Sequence, residues 1–135
     1  MIRSILLQRF LASVVLSIGG WPQSADAHHS HANYDIRKWI EIEGTVKQAV
    51  LIAPHSIVDL DVKDASGAVA TWALEATAPA GIFGNGVKRE DVRPGDAIKA
   101  RCHQLRDGAN GCLLGFITPL HGDATRGDGI EREWD

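Results

Sequence analysis

The stretch Ile40-Glu41-Ile42-Glu43-Gly44-Thr45-Val46-Lys47 decides the fold. Apolar and polar residues largely alternate along it, the period of a half-buried β-strand, and the pattern runs on through Val50-Leu51-Ile52 to stop at Ala53-Pro54. A glycine inside such a strand weakens it unless the backbone needs the space, so Gly44 predicts a bulge or a sharp bend of the kind a small barrel requires. The next strand, Ser56 to Lys63, sets Val58, Leu60 and Val62 on one face and Asp59 and Asp61 on the other. Asp64-Ala65-Ser66-Gly67 is a turn, and the third strand, Ala68 to Ala76, follows it directly. Strands two and three therefore form a hairpin.

Beyond Thr77 the pattern changes. Pro79-Ala80-Gly81-Ile82-Phe83 reads as a short helix that starts near Thr77 or Ala78 and ends at Gly84 or Gly86. Lys88 to Asp96 is polar, with Pro94-Gly95 turning the chain into a fourth strand, Ala97 to Gln104. Asp107-Gly108 and Asn110-Gly111 set a tight loop before the fifth strand, Cys112 to Thr118. Three strands, a short helix and two more strands within residues 39–118 fit the all-β, five-stranded Greek-key barrel of the OB fold. A small open β-sandwich is the alternative. Residues 119–135, rich in glycine and charge, read as a flexible tail.

Upstream of the barrel the chain carries an export signal. Arg3 and Arg9 precede or adjoin an apolar run from Phe10 to Gly19, and small residues follow at Ala25 and Ala27. A charged start, a short hydrophobic core and an A-x-A cleavage pattern make residues 1–27 a signal peptide, too short in its apolar part for a stable membrane anchor. Cleavage after Ala27 predicts a periplasmic or secreted protein of residues 28–135, with 28–38 as a His-rich arm. The whole chain has 14 basic and 17 acidic residues; without Arg3, Arg9 and Asp26 the formal charge is −4. That balance offers no support for binding nucleic acid or anionic lipid through net charge. Cys102 and Cys112 are an even pair in an exported chain, on either side of the loop between strands four and five, which predicts a disulfide. The alternative is a reduced pair on a soft metal.

The densest cluster of chemistry is His28-His29-Ser30-His31. Imidazoles suit copper and zinc, and a processed N-terminus would add an α-amine beside them. Short His-rich tracts also bind metal adventitiously, which is the bland reading of the same residues. His55 stands at the mouth of strand two and His103 at the end of strand four, bordering the two loops that commonly frame the ligand site of an OB barrel. His121 falls in the tail and carries no functional expectation. Trp72 and Glu75 lie three apart on strand three, so they face opposite sides. Trp72 reads as a barrel or platform aromatic, and Glu75 as a partner to a histidine or an oxygen ligand. No nucleophile motif, H-E-x-x-H or phosphate loop is present, so no catalysis is expected.

Ala27-His28-His29-Ser30, Ala53-Pro54-His55, Trp72-Ala73-Leu74-Glu75 and Pro94-Gly95-Asp96 occur in an order that resembles a family of small exported bacterial proteins, the domain of unknown function 6152. Its members show A-H-H-S, N-P-H, W-x-x-E and P-G-D; this chain departs from the pattern at Ala53, where the family usually has Asn. The resemblance implies export, a small β domain and attention to His28, His29 and His55, and it supplies no activity. The expectation is an exported, non-enzymatic barrel that binds copper in preference to zinc through His28, His29 and His55, with His31 or His103 as additional ligands. The alternative is a metal-free interaction module that takes a protein, peptide or small ligand on the face around Trp72.

Overall fold

The computed structural model describes residues 31–135. They form six strands and one α-helix: β1 Ile40–Val50, β2 Ser56–Lys63, β3 Val69–Ala76, α1 Pro79–Gly84, β4 Ala97–Gln104, β5 Gly111–Pro119 and β6 Arg132–Glu133. The sheet runs β3-β2-β1-β4-β5-β6, and β3 also pairs in parallel with β5 through Ala73–Gly111, Leu74–Cys112 and Glu75–Leu113. That last pairing closes β1 to β5 into a barrel with OB-fold strand order, so the sheet is not an open sandwich.

Closure depends on one long strand serving two neighbours. Residues 40–45 of β1 pair with β4, and residues 45–50 pair with β2, so Thr45 lies opposite both Ala97 and Asp61. Gly44 sits at this change of partner because the backbones approach closely there. A Cβ on it would collide with the Asp61 carbonyl oxygen and lie 2.9 Å from Leu60 Cγ. The register irregularity falls two to four residues later, between Val46 and Gln48. Thus the glycine supplies the close approach, and the bulge adds curvature beside it.

Inward residues of all five strands form the core, among them Val46, Val58, Leu60, Leu74, Ile98 and Ile117. Ile82 of α1 joins them, fully buried. Pro79 stands in the first turn of α1, where its missing N–H costs nothing. Cys102 and Cys112 are bonded across β4 and β5 with Cα atoms 5.7 Å apart, and both are buried.

The segment expected to be a flexible tail, 119–135, is instead folded onto the barrel. β6 pairs with β5 through Phe116–Glu133 and Ile117–Arg132. Trp134, 2 % exposed, packs into the main core. Its N–H donates to the Gly115 carbonyl, and its carbonyl accepts from Thr77 N–H. Arg126 pairs with Asp96 and donates from Nε to the Glu90 carbonyl at 2.7 Å. Burial alone would raise the Asp96 carboxyl, but the Arg126 guanidinium and the Arg93 N–H outweigh it and hold it below the usual range. Trp134, with the β6 pairing and Arg126, anchors a segment whose composition reads as loose.

Two stability predictions follow from these contacts. Trp134→Ala should lower the unfolding free energy by about 3 kcal/mol in urea, the cost of emptying a buried aromatic site; an unchanged midpoint would return the tail to the loose state. Replacing Cys102 and Cys112 together by Ala should cost about 2.5 kcal/mol, the loop-closure contribution for half-cystines 10 residues apart, read in the same denaturation.

Candidate functional site

Barrel closure aligns a row of outward residues across four strands. Ile57 on β2 lies opposite Glu75 on β3, Glu75 opposite Leu113 on β5, and Leu113 opposite His103 on β4. Residues directly opposed share a face, so the row runs along the outside of the barrel. Part of it is roofed by the segment just ahead of β1. His31–Asn33 form a 3-10 turn, and Tyr34 makes a β-bridge with Leu105. Asp35 N–H donates to the Gln104 carbonyl at 2.9 Å, and Arg106 N–H donates to the Asn33 carbonyl at 2.9 Å. The described part of the arm is therefore stitched to the β4–β5 loop.

Under this roof three side chains meet. Tyr34, 7 % exposed, donates its hydroxyl to Glu75 Oε2 at 2.8 Å. The other oxygen, Glu75 Oε1, lies 3.3 Å from His55 Nδ1. The carboxylate thus stands between a phenol and an imidazole, with the His55 side chain 35 % exposed and the Glu75 side chain 19 % exposed. Burial first, then the hydrogen bond and charge of Glu75, push the Tyr34 phenol well above its ordinary value. Tyr34 was not singled out in the sequence, although one signal was there: it is the only tyrosine of the chain, set in an otherwise polar arm.

The remaining candidate residues are dispersed. His103 and His55 have different partners: His55 faces Glu75, and His103 is held at the Lys38 carbonyl and Trp39. Its Nδ1 lies 2.6 Å from the Lys38 carbonyl and its ring stacks on Trp39 at 3.8 Å between centroids. His31 lies in the exposed turn, three residues ahead of Tyr34. His121 is built into the fold of the tail, accepting from Asp123 N–H at Nδ1 and lying 3.2 Å from the Asp91 carbonyl at Nε2. Trp72 alternates with Glu75 and packs against the core, so it does not present an outer platform. Trp39 is an exposed aromatic, 49 % accessible beside Phe116, with the Arg101 guanidinium over both rings. The expected signal peptide, His28 and His29 lie outside the described residues. Among the described residues no three His, Cys, Asp or Glu side chains are arranged to hold a metal ion. Nor is any described helix long and apolar enough to cross a membrane.

The buried phenol gives a direct optical test, since no second tyrosine contributes. Phenolate absorbance near 295 nm should not appear in the folded protein as pH passes about 10, the ordinary tyrosine value, and should appear there in denaturant. A phenol raised in the folded state contributes stability that is complete below the unfolded value and is lost as pH rises further. Unfolding free energy should therefore begin to fall above about pH 10 and fall less in Tyr34→Phe. Ordinary titration of the folded protein would contradict the Tyr34–Glu75 contact.

No curated protein matches the sequence. Among solved structures, the mitochondrial single-stranded DNA binding protein Rim1 from S. cerevisiae is similar at a TM-score of 0.47 and 12 % identity, over 64 % of this chain and 97 % of that one. Residues 15–114 match a family of unknown function, DUF6152, as the His-His, Pro-His, Trp-x-x-Glu and Pro-Gly-Asp motifs imply. The chain belongs to the DUF6152 family.

Proposed function

We propose that this protein is an exported, non-enzymatic domain that holds one transition-metal ion, copper in preference to zinc. His55 is the ligand on the barrel, and His28 and His29 at the start of the processed chain complete the set with their α-amine. The observation that carries this reading is the pairing of His55 with Glu75, whose oxygen lies 3.3 Å from Nδ1. An imidazole that binds a metal through one nitrogen characteristically gives the N–H of the other to a carboxylate or carbonyl, which fixes the tautomer and raises ligand basicity. With Nδ1 turned to Glu75, Nε2 is the His55 atom left for an ion.

A set of imidazoles and an amine suits divalent copper, which such sites hold more tightly than zinc. His31 is eligible as a further ligand because it stands exposed in the same arm. His103, whose Nδ1 lies 2.6 Å from the Lys38 carbonyl and whose ring packs on Trp39, is the other candidate for an additional ligand. Export accounts for the leader and for the A-x-A pattern before His28, and it places the domain in the periplasm or outside the cell.

Copper(II) titrated into residues 28–135 should bind at one site, more weakly in His55→Ala and more weakly again when one residue precedes His28. Acid should release the ion as the nitrogen ligands are protonated. Equal affinity in all three proteins would reduce the binding to a His-rich arm acting alone and remove the proposed function. A second reading, a metal-free module for a protein, peptide or small ligand, draws on the half-exposed Trp39 beside Arg101 and Phe116. On that reading, binding is lost in Trp39→Ala and kept in His55→Ala.

A further inference from the structure

One edge of β1 is open over half its length. β1 pairs with β4 along residues 40–45 and with β2 along residues 45–50, so its second half has no strand on the β4 side. The turn before β4 fills the first position there. Val46 N–H donates to the Asp96 carbonyl at 2.8 Å, and Gly95 N–H donates to the Val46 carbonyl at 2.7 Å. From Lys47 to Val50, no backbone group among the described residues bonds to this side of β1. The connection from α1 to β4 runs past it and leaves an open cavity of about 420 Å³, lined by Ala49, Arg89, Glu90, Arg93 and Pro94. We propose that this groove takes an extended acidic segment of a partner protein. The segment adds as a strand to the Lys47–Val50 edge and sets its carboxylates against Arg89 and Arg93. The inference does not depend on an ion at His55.

The lining segment sorts its charges, and the sorting selects the occupant. Asp91, 4 % exposed, accepts Lys88 N–H at 2.8 Å and lies 3.9 Å from Arg132. Asp96 accepts Arg93 N–H at 2.8 Å and pairs with Arg126. Both carboxylates are thus engaged within the fold. Arg89 and Arg93 stand exposed, and neither forms an ion pair among the described residues. Glu90 is the one carboxylate in the lining, so the groove keeps a local surplus of positive charge in a chain with 14 basic and 17 acidic residues. An open strand edge recognises the backbone of an extended chain, whose alternate side chains project to one face. Carboxylates at those positions would meet the two guanidiniums together. A phosphate or lipid headgroup could meet the arginines but would leave the N–H and C=O groups of the edge unmatched. The same charge disfavours basic and uncharged strands, which an open edge would otherwise accept. Phe83, 39 % exposed beneath the Arg89 guanidinium at 5.5 Å, and Val50, 38 % exposed, add apolar area beside the charges.

The test uses residues 28–135 and a fluorescein-labelled peptide of alternating Glu and Val. Its comparison probes are the same peptide with Lys for Glu, the Glu peptide methylated at every backbone nitrogen, vesicles of phosphatidylglycerol, and oligothymidylate. The Glu peptide should bind wild type, more weakly as salt is raised. It should bind roughly tenfold more weakly in Arg89→Glu/Arg93→Glu, because each exposed ion pair contributes a few-fold. Both side chains are exposed, and urea denaturation of the variant checks that its barrel is intact. Amides of Lys47–Val50 that face the groove should exchange more slowly when the Glu peptide is added. The methylated peptide should not bind, because it has no N–H to give the edge. Equal binding of the methylated form, or unchanged exchange along Lys47–Val50, overturns strand addition. Equal binding of the Lys peptide, or full binding in the variant, overturns the role of the two arginines. If the Glu peptide fails to bind while vesicles or oligothymidylate bind and are lost in the variant, the groove is a membrane or nucleic-acid surface and the proposal falls. A dimer seen by sedimentation in wild type and lost in the variant would assign the edge to a second copy and overturn it as well.

Discussion

The backbone contact at Gly44 is the constraint on which the barrel rests. A strand can change neighbours midway only if its backbone comes close to both, and the Asp61 carbonyl occupies the space a side chain would need. With that contact in place, β1 gives its first half to β4 and its second half to β2. The sheet can then curl until β3 meets β5. Closure removes most of the exposed sheet edge and buries one face of every strand in a common core. The disulfide and β6 act on the result of that closure: the first ties β4 to β5, and the second covers the part of β5 that β3 leaves unpaired.

Closure also builds the outer site. Glu75 points away from the core because it alternates with Leu74 and Ala76, both buried. On an open sheet, such a glutamate would be an ordinary solvated side chain. The parallel pairing of β3 with β5 sets it beside Leu113, on a face that the stretch ahead of β1 then crosses. Tyr34 arrives from that stretch and His55 from the loop between β1 and β2, so two segments far apart in sequence reach one carboxylate. Glu75 is well placed to take both because each oxygen accepts a separate partner.

The same logic holds the last residues. Asp96 stands in the turn before β4, where burial disfavours its charge and Arg126 restores it. His121 joins the turn backbones of Asp91 and Asp123. These polar contacts fix the direction of approach, while Trp134 supplies the apolar area that makes the approach favourable. A segment with many glycines and charges can thus be ordered by few residues if one of them is large and buried.

The sequence alone determined where β1 to β5 and the short helix lie along the chain, and it led to the expectation of the disulfide. These rest on local signals: alternation at Ile40–Val46, the Asp64–Gly67 turn, Pro79 at a helix start, and two cysteines on either side of a tight loop. It also placed His55 at a strand mouth and marked Glu75 as a partner to a histidine or an oxygen ligand. Tertiary structure alone decided that these two residues meet, that Tyr34 completes the group, and that His103 packs on Trp39. It reversed the tail from loose to anchored and turned Trp72 toward the core. The physical reason is range. Period and turn chemistry act within a few residues, whereas the partner of a side chain depends on register between strands and on which strand closes the barrel. Those are set only when the whole chain packs.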